Sequence, residues 1–135
     1  DNHRMGLYDT VMLKENHVRA FGSVAAAIAE ARARHPAMPL VVEVESLAQL
    51  RDALEAGCDP VLIDDFSPGQ RREAVRIARG APFDGRIPLE VSGSVDLEGL
   101  RAIAADGVDF VSVGALTKHL RAIDLSMKLG PAPGN

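Results

Sequence analysis

The stretch LVVEVESLAQLRDALEAGCDPVLIDD, residues 40–65, contains a complete strand–helix–strand unit. Leu40–Val44 is a short apolar run of the kind that forms a buried strand. Ser46 and Gln49 then have the spacing of a capping box, which predicts a helix over the leucine-rich residues that follow. A second apolar run, Val61–Ile63, comes directly after that helix. Strands joined by a helical crossover run parallel, so this unit predicts a parallel sheet covered by helices.

The same alternation of apolar runs and capped helices continues along the chain. The predicted strands are Thr10–Leu13, Leu40–Val44, Val61–Ile63, Ile87–Val91 and Asp109–Val113. The predicted helices lie near residues 20–35, 47–57, 67–80, 96–107 and 118–129, and Ser67 and Asp96 are the predicted caps of the third and fourth. Between the first strand and the first helix, Glu15-Asn16-His17 is predicted to be a loop. The chain therefore predicts about five strand–helix units.

An internal repeat favours a barrel. The pattern Ser46-Leu47, Leu50-Arg51, Gly57 and Asp59 recurs as Asp96-Leu97, Leu100-Arg101, Gly107 and Asp109, each 50 positions later. A repeat that spans two βα units is typical of a β/α barrel. Because eight such units occupy about 250 residues, five units predict an α/β fold that is part of a TIM-like β/α barrel. A doubly wound open sheet is the alternative, although its usual G-x-G-x-x-G opening is absent from the sequence.

Composition narrows the class of protein. The chain has 135 residues, of which 47% are hydrophobic and 25% charged, as in an ordinary globular domain. Its net charge of -4 argues against a general nucleic-acid binder, and no apolar run reaches membrane-spanning length. The lone cysteine, Cys58, excludes an internal disulfide and fits a reducing compartment. Its place at a helix-to-strand turn predicts a buried small hydrophobic residue rather than a nucleophile.

The two ends of the chain differ in character. A charged, motif-like segment starts at residue 1, whereas residues 130–135 are rich in proline and glycine. We expect residues 1–129 to form part of one barrel domain, residues 130–135 to be a flexible tail, and the chain to be a C-terminal piece of something longer.

Chemistry-bearing residues stand at the C-terminal end of each predicted strand. They are Lys14, Glu43, Asp64, Ser92-Gly93 and Gly114. Parallel α/β folds build their sites at these strand ends. A carboxylate there that points inward is unfavourable unless it is paired, so Glu43 and Asp64 are candidates for holding Mg²⁺ or sugar hydroxyls, or for an acid/base pair. The alternatives are a solvated Glu43 and an Asp64 that caps a loop or helix, a role that suits Asp65 better.

The opening residues DNHRMGLYDTVMLKENH, 1–17, bring three cationic or potentially cationic groups close together in sequence. They are His3, Arg4 and Lys14. Arginine offers a rigid fork and lysine a point charge, so the cluster suits a ligand with more than one carboxylate. The alternative is that Arg4 and Lys14 are ordinary surface charges.

Two glycine turns follow the last two strands. In Ser92-Gly93-Ser94 and in Gly114-Ala115, glycine lets backbone N–H groups approach an anion at the start of a helix. Barrels often bind a phosphate between such loops, whereas the simpler interpretation is that glycine only permits tight turns. His17 and His119 are predicted to be rim or packing residues, and the Arg71-Arg72 pair to be solvated.

Five motifs in order carry a resemblance to one family. They are NHRMGLYDTVMLKENH (2–17), VEVES (42–46), VLIDDFSP (61–68), LEVSGSV (89–95), and DFVSVGALTKH (109–119) followed by AIDLSMKL (122–129). On these motifs the chain resembles the quinolinate phosphoribosyltransferase family. The resemblance implies the C-terminal part of a barrel catalytic domain, without the N-terminal domain and the first barrel strand, and therefore a piece that is inactive by itself.

The resemblance also implies a function. It is the joining of quinolinate to phosphoribosyl pyrophosphate with Mg²⁺ as cofactor, giving nicotinate mononucleotide, pyrophosphate and CO₂ in NAD biosynthesis. It implies a cytoplasmic homodimer or higher homo-oligomer that has no nucleic-acid or membrane partner. Three readings stay open beside it: a lysine-dependent aldolase, a non-catalytic phosphosugar-binding relative, and a related barrel of molybdenum metabolism.

Carried over to this sequence, the resemblance assigns a role to each strand end. His3, Arg4 and Lys14 would hold the quinolinate carboxylates. Glu43 and Asp64 would contact the ribose hydroxyls and the metal, which makes them, with Lys14, the predicted catalytic residues. Ser92, Gly93 and Ser94, together with Gly114 and Ala115, would bind the 5′-phosphate.

Overall fold

The structure, a computed structural model, describes residues 5–93, 95–119, 121–128 and 130. Its strands are Val11–Leu13 (β1), Leu40–Val44 (β2), Val61–Asp64 (β3), Leu89–Ser92 (β4) and Phe110–Val111 (β5). Its helices are Glu15–Phe21 (α1), Val24–Arg34 (α2), Leu47–Ala56 (α3), Pro68–Arg79 (α4), Leu97–Ala105 (α5) and Ala115–Lys118 (α6).

All five strands are parallel, and each lies beside the next one in sequence, in the order β1-β2-β3-β4-β5. This order confirms the prediction of a barrel-type sheet. A doubly wound sheet would reverse its strand order at a switch point, so that alternative was wrong. Because the strands are parallel, their C-terminal ends all lie along one edge of the sheet. A site built from strand ends therefore forms at that edge.

The two faces of the sheet differ in the residues that they carry. On the outer face, Val42, Val44 and Ile63 are fully buried in the main hydrophobic core. The helices contribute to this core residues such as Ile28 of α2 and Leu50 of α3. Burying one such side chain contributes about 1.5–3 kcal/mol, so this face supplies most of the stability. The residues that alternate with these core positions along each strand lie on the inner face.

The helix starts follow the predicted capping pattern. Ser46 Oγ accepts a hydrogen bond from Gln49 N–H, although the Gln49 side chain accepts from Glu45 N–H rather than from Ser46. Ser67 and Gln70 form a complete capping box at α4. Ser67 is thus the N-cap of α4, as predicted, and Asp65 lies in the loop before it.

The predicted loop at residues 15–17 was also wrong, because these residues form the first turn of α1. His17 Nδ1 accepts a hydrogen bond from Lys14 N–H at 3.0 Å, and Gly22 ends the helix in a left-handed conformation. Histidine is not among the usual capping residues, so the start of this helix carries no standard sequence signal. The structure gives His17 a local capping role.

The last predicted helix, 118–129, was wrong as well. Helix α6 covers only Ala115–Lys118, and residues 121–128 have no regular secondary structure. In this segment the apolar residues Ile123, Leu125 and Met127 alternate with polar ones and are more than 80% exposed. Alternation with a period of two does not place them on one helical stripe, and a short helix without a buried face is unstable.

Two single-residue predictions have opposite outcomes. Cys58 is buried, as predicted. Arg71 is not solvated: its side chain is 11% exposed and its Nε lies 2.8 Å from Asp106 Oδ2, while Arg72 is exposed as predicted. The partner of Arg71 is 35 positions away in the chain, which is why the local charge pattern misplaced it.

Within the described residues, no helix has the length and apolar character needed to cross a membrane. Gly130 has no regular structure, and the rest of the predicted tail, 131–135, lies outside the described residues, as does Leu129.

Candidate active site

The inner face of the sheet brings the predicted strand-end residues together. Strand register places Glu43 level with Leu62, and Asp64 level with Ser92. Asp64 is two positions beyond Leu62 on the same strand, so Glu43, Asp64 and Ser92 share one face. Lys14 follows β1 and reaches Glu43 on that face. We call the end of the sheet formed by Lys14, Glu43, Asp64, Ser92 and Gly114 the carboxyl edge.

An ion pair joins the first two strands at this edge. Lys14 Nζ lies 3.2 Å from Glu43 Oε2, with 51% of the lysine side chain and 10% of the glutamate side chain exposed. The pairing confirms the prediction that an inward Glu43 needs a partner. Because Lys14 is half exposed, its ammonium has donors left over for an incoming carboxylate.

Asp64 differs from Glu43 in having an open carboxylate. Asp64 is half-buried at the end of β3, and its side chain makes no hydrogen bond or ion pair with any residue of the described ranges. It lies about 7 Å further along the strand direction than Glu43. The two carboxylates therefore lie on neighbouring strands of the inner face, offset along the strand direction.

The Ser92-Gly93 turn has the geometry that requires glycine. Gly93 has a φ of +120°, and its carbonyl accepts a hydrogen bond from Val95 N–H at 2.9 Å. A cavity of about 120 Å³ lies behind the turn, lined by Ser92, Asp65 and Arg71 among others.

The Gly114 turn is different, because Gly114 has an ordinary helical φ of -69°. A Cβ added there would only touch the Lys118 side chain, at 3.7 Å or more. Neither the backbone conformation nor close packing requires glycine at this position. Ala115 begins α6 directly after it.

Glu90 is a residue of this face that the sequence reasoning missed. It is 8% exposed, lies level with Leu62 and Phe110, and accepts a hydrogen bond from Ser112 Oγ. The signal was available, because Glu90 stands between Leu89 and Val91 just as Glu43 stands between two valines. The inner face thus holds three acidic residues at successive strands.

Several predicted residues are not placed at the site by the structure. His3, Arg4 and Ser94 lie outside the described residues. His119 is exposed at the end of α6. Cys58 lies away from the carboxyl edge, and burial raises the pKa of its thiol to about 12, so it does not serve as a nucleophile.

The acidic residues of this edge fit Mg²⁺ only in an open arrangement. The described residues contain no group of three or more metal-ligating side chains. Mg²⁺ is usually held by one or two carboxylates together with substrate phosphates and water, rather than by a closed protein cage. Glu43 and Asp64 meet that description, since both are hard oxygen ligands on one face and Asp64 is open.

The comparisons with known proteins agree in the family that they indicate. A profile described as "Quinolinate phosphoribosyl transferase, C-terminal domain" matches residues 1–128. The nicotinate-nucleotide pyrophosphorylase (carboxylating) of Mycobacterium leprae is 42% identical over 131 residues, which cover 95% of this chain and 44% of the relative.

Solved structures give the same result. The nicotinate-nucleotide pyrophosphorylase of Francisella tularensis matches with a TM-score of 0.83 and 46% identity, over 93% of this chain and 43% of that one. NadC from Streptococcus pyogenes matches with a TM-score of 0.82 and 41% identity, over 94% of this chain and 43% of that one. The chain spans less than half the length of these relatives.

Proposed function

We propose, since this chain belongs to the quinolinate phosphoribosyltransferase family, that its complete gene product transfers a phosphoribosyl group from phosphoribosyl pyrophosphate to quinolinate. The products are nicotinate mononucleotide, pyrophosphate and CO₂. The observation that carries the proposal is the meeting of Lys14, Glu43 and Asp64 on one face, beside the Ser92-Gly93 turn.

The Lys14–Glu43 pair supports a role in holding quinolinate. The ammonium is fixed by Glu43 on one side and open to solvent on the other. A substrate carboxylate that approaches from the open side forms a charge-assisted hydrogen bond with a donor already oriented. His3 and Arg4 belong to the proposal as further carboxylate-binding groups.

The open carboxylate of Asp64 suits the sugar. Departure of pyrophosphate leaves positive charge on the anomeric carbon, as in glycoside cleavage. A carboxylate held near that carbon stabilises the charge as it develops, and it also accepts hydrogen bonds from ribose hydroxyls. Glu43 lies on the same face and contributes to the same negative field.

The two glycine turns complete the site. Ser92, Gly93 and Ser94 on one side, and Gly114 and Ala115 on the other, are proposed to bind the 5′-phosphate through backbone N–H groups and hydroxyls. Mg²⁺ is proposed as the cofactor, held by Glu43 and Asp64. When bound, it would neutralise charge on the pyrophosphate group. A homodimer located in the cytoplasm also belongs to this proposal.

The test is product formation by the complete gene product with phosphoribosyl pyrophosphate and Mg²⁺, comparing quinolinate with nicotinate. We expect mononucleotide from quinolinate only, and loss of that product when the metal is chelated. Product from nicotinate alone would contradict the dicarboxylate role of the opening residues. No product from either acid, with phosphosugar binding retained in calorimetry, would replace the transferase by a binding protein.

An aldolase is separated by trapping with borohydride and a keto substrate. We expect no covalent adduct on Lys14, because phosphoribosyl transfer forms no imine with a lysine.

A further inference from the structure

Asp65 has an unusual backbone conformation next to the proposed phosphate turn. It follows Asp64 at the end of β3 and has a φ of +51°. This value lies in the left-handed region, which residues other than glycine seldom adopt. In the described ranges, Asp84 is the other such residue, with a φ of +52°. Asp84 lies in the α4–β4 loop, away from the carboxyl edge.

The left-handed turn aims the Asp65 side chain at Gly93. A Cβ built on Gly93 would overlap Asp65 Oδ1 and would lie 3.2 Å from its Cγ. The side chain of Asp65 therefore occupies the space that Gly93 leaves by having no side chain. Gly93 is required twice over, by its φ of +120° and by this contact.

A backbone hydrogen bond joins the same two loops. Asp65 N–H donates to the Ser92 carbonyl at 3.3 Å. Asp65 thus touches the turn at two consecutive residues, one through its backbone and one through its side chain. A residue that contacts a loop through both its backbone and its side chain holds that loop in one arrangement.

We infer that Asp65 is a positioning residue, whose side chain wedges against Gly93 and fixes the Ser92-Gly93 turn in its anion-binding arrangement. The inference rests on the proposed function, in which this turn binds the 5′-phosphate. Asp65 acts through the turn and not on the reacting atoms.

The shape of the Asp65 side chain, and not its charge, carries this role. A carboxylate beside a phosphate site repels the ligand, and the repulsion is only partly screened because Debye screening acts over about 8–10 Å. Asparagine has nearly the same shape, adopts the left-handed region as readily, and has no charge. Alanine neither fills the space beside Gly93 nor adopts a positive φ readily.

The experiment uses the complete gene product and three variants: Asp65→Ala, Asp65→Asn and, as a matched control, Asp84→Ala. Asp84→Ala makes the same change at the same backbone angle on a different loop. For each protein we measure the Kd for inorganic phosphate, the KM for phosphoribosyl pyrophosphate and for quinolinate, kcat, and thermal unfolding.

We expect Asp65→Ala to raise the phosphate Kd and the phosphoribosyl pyrophosphate KM by about tenfold or more, because small misplacements of a binding group have effects of this size. The KM for quinolinate should change much less. Asp65→Asn should lower the phosphate Kd by about threefold through the loss of repulsion. Asp84→Ala should lower thermal stability as Asp65→Ala does, while both KM values stay at those of the unmodified protein.

The outcomes separate this inference from the proposed function. Phosphate binding that is equal in Asp65→Ala and the unmodified protein would overturn the inference and leave the transferase intact. So would an Asp65→Asn variant as impaired as Asp65→Ala, since the role would then lie in the charge. An unmodified protein that binds phosphate but forms no mononucleotide would refute the transferase, while the phosphate titrations would still decide the inference. An unmodified protein that binds no phosphate would overturn both.

Discussion

The two edges of the sheet use the same kinds of residue for different purposes. At the edge where the strands begin, here called the amino edge, Asp59 Oδ2 accepts hydrogen bonds from Leu40 N–H at 2.6 Å and from Arg32 at 2.9 Å. At the carboxyl edge, five residues later, Asp64 has no such partner in the part of the chain that the structure describes. A carboxylate that the protein has already bonded stabilises the fold, whereas an open one is available to a ligand.

The internal repeat sharpens the contrast. Asp109, 50 positions after Asp59, accepts hydrogen bonds from Leu89 N–H at 2.8 Å and from Arg79 at 2.7 Å. The repeat is therefore retained in structure at the amino edge. At the carboxyl edge the equivalent of Asp64 is Gly114, so the two units have diverged there.

The largest effect is expected from Lys14→Ala at the carboxyl edge. The variant removes the proposed quinolinate-binding ammonium, and kcat/KM for quinolinate should fall about 100- to 1,000-fold, as when an oriented donor is lost from an active site. Unfolding free energy should also fall, by about 1–3 kcal/mol, because the variant leaves the Glu43 carboxylate, of whose side chain only 10% is exposed, without its partner. Steady-state kinetics and urea unfolding of the complete gene product measure the two quantities.

The matched control for Lys14→Ala is Arg34→Ala. Arg34 is also an exposed cation in an ion pair, with Glu30 on the outer side of α2. It should leave both activity and stability nearly unchanged. A Lys14→Ala variant that keeps full turnover would contradict its assigned role.

At the amino edge, Asp59→Ala is expected to lower stability and to leave activity nearly unchanged. Removing its carboxylate leaves the buried Leu40 N–H without its acceptor, which costs about 1–3 kcal/mol of unfolding free energy. The kcat should stay within about twofold, as for a change outside the reacting groups. Urea unfolding and steady-state kinetics provide the test.

Two further variants check the origin of this loss. Glu30→Ala, which breaks only an exposed pair, should cost less than about 0.5 kcal/mol. Asp59→Asn should fall between the two, since the amide oxygen still accepts from Leu40 N–H. An Asp59→Ala variant as stable as the unmodified protein would mean that the amino-edge hydrogen bonds contribute nothing.

Sequence predicted best what is decided locally. The apolar runs and the caps at Ser46, Ser67 and Asp96 fixed the main strands and helices, because each signal lies within a few residues. The contact of Arg71 with Asp106 was missed because the residues are far apart in sequence and meet only in the fold.

The features of the site also separate into local ones that the sequence predicted and long-range ones that it did not. Positions at strand ends were predictable, and Glu43 and Asp64 do share one face. The fit of Asp65 against Gly93 was not predictable, because it depends on how two separate loops approach each other. The assignments of His3 and Arg4 stay predictions.

The effect that is smallest at neutral pH concerns Cys58, which lies near the amino edge and takes no part in the proposed chemistry. Burial raises the pKa of its thiol from 9.0 to about 12. Between pH 9 and 12 the unfolded chain therefore releases this proton while the folded protein keeps it, so the group makes unfolding more favourable as pH rises. The unfolding free energy should fall by about 1.4 kcal/mol per pH unit in this window from Cys58 alone, and by nothing below it. In Cys58→Ala this part of the slope is lost, while the two proteins share every other titratable group, so the difference between them isolates the thiol. Parallel stability curves from pH 7 to pH 10 would show that the thiol ionises equally in both states, and that the amino edge is more open to water than its packing indicates.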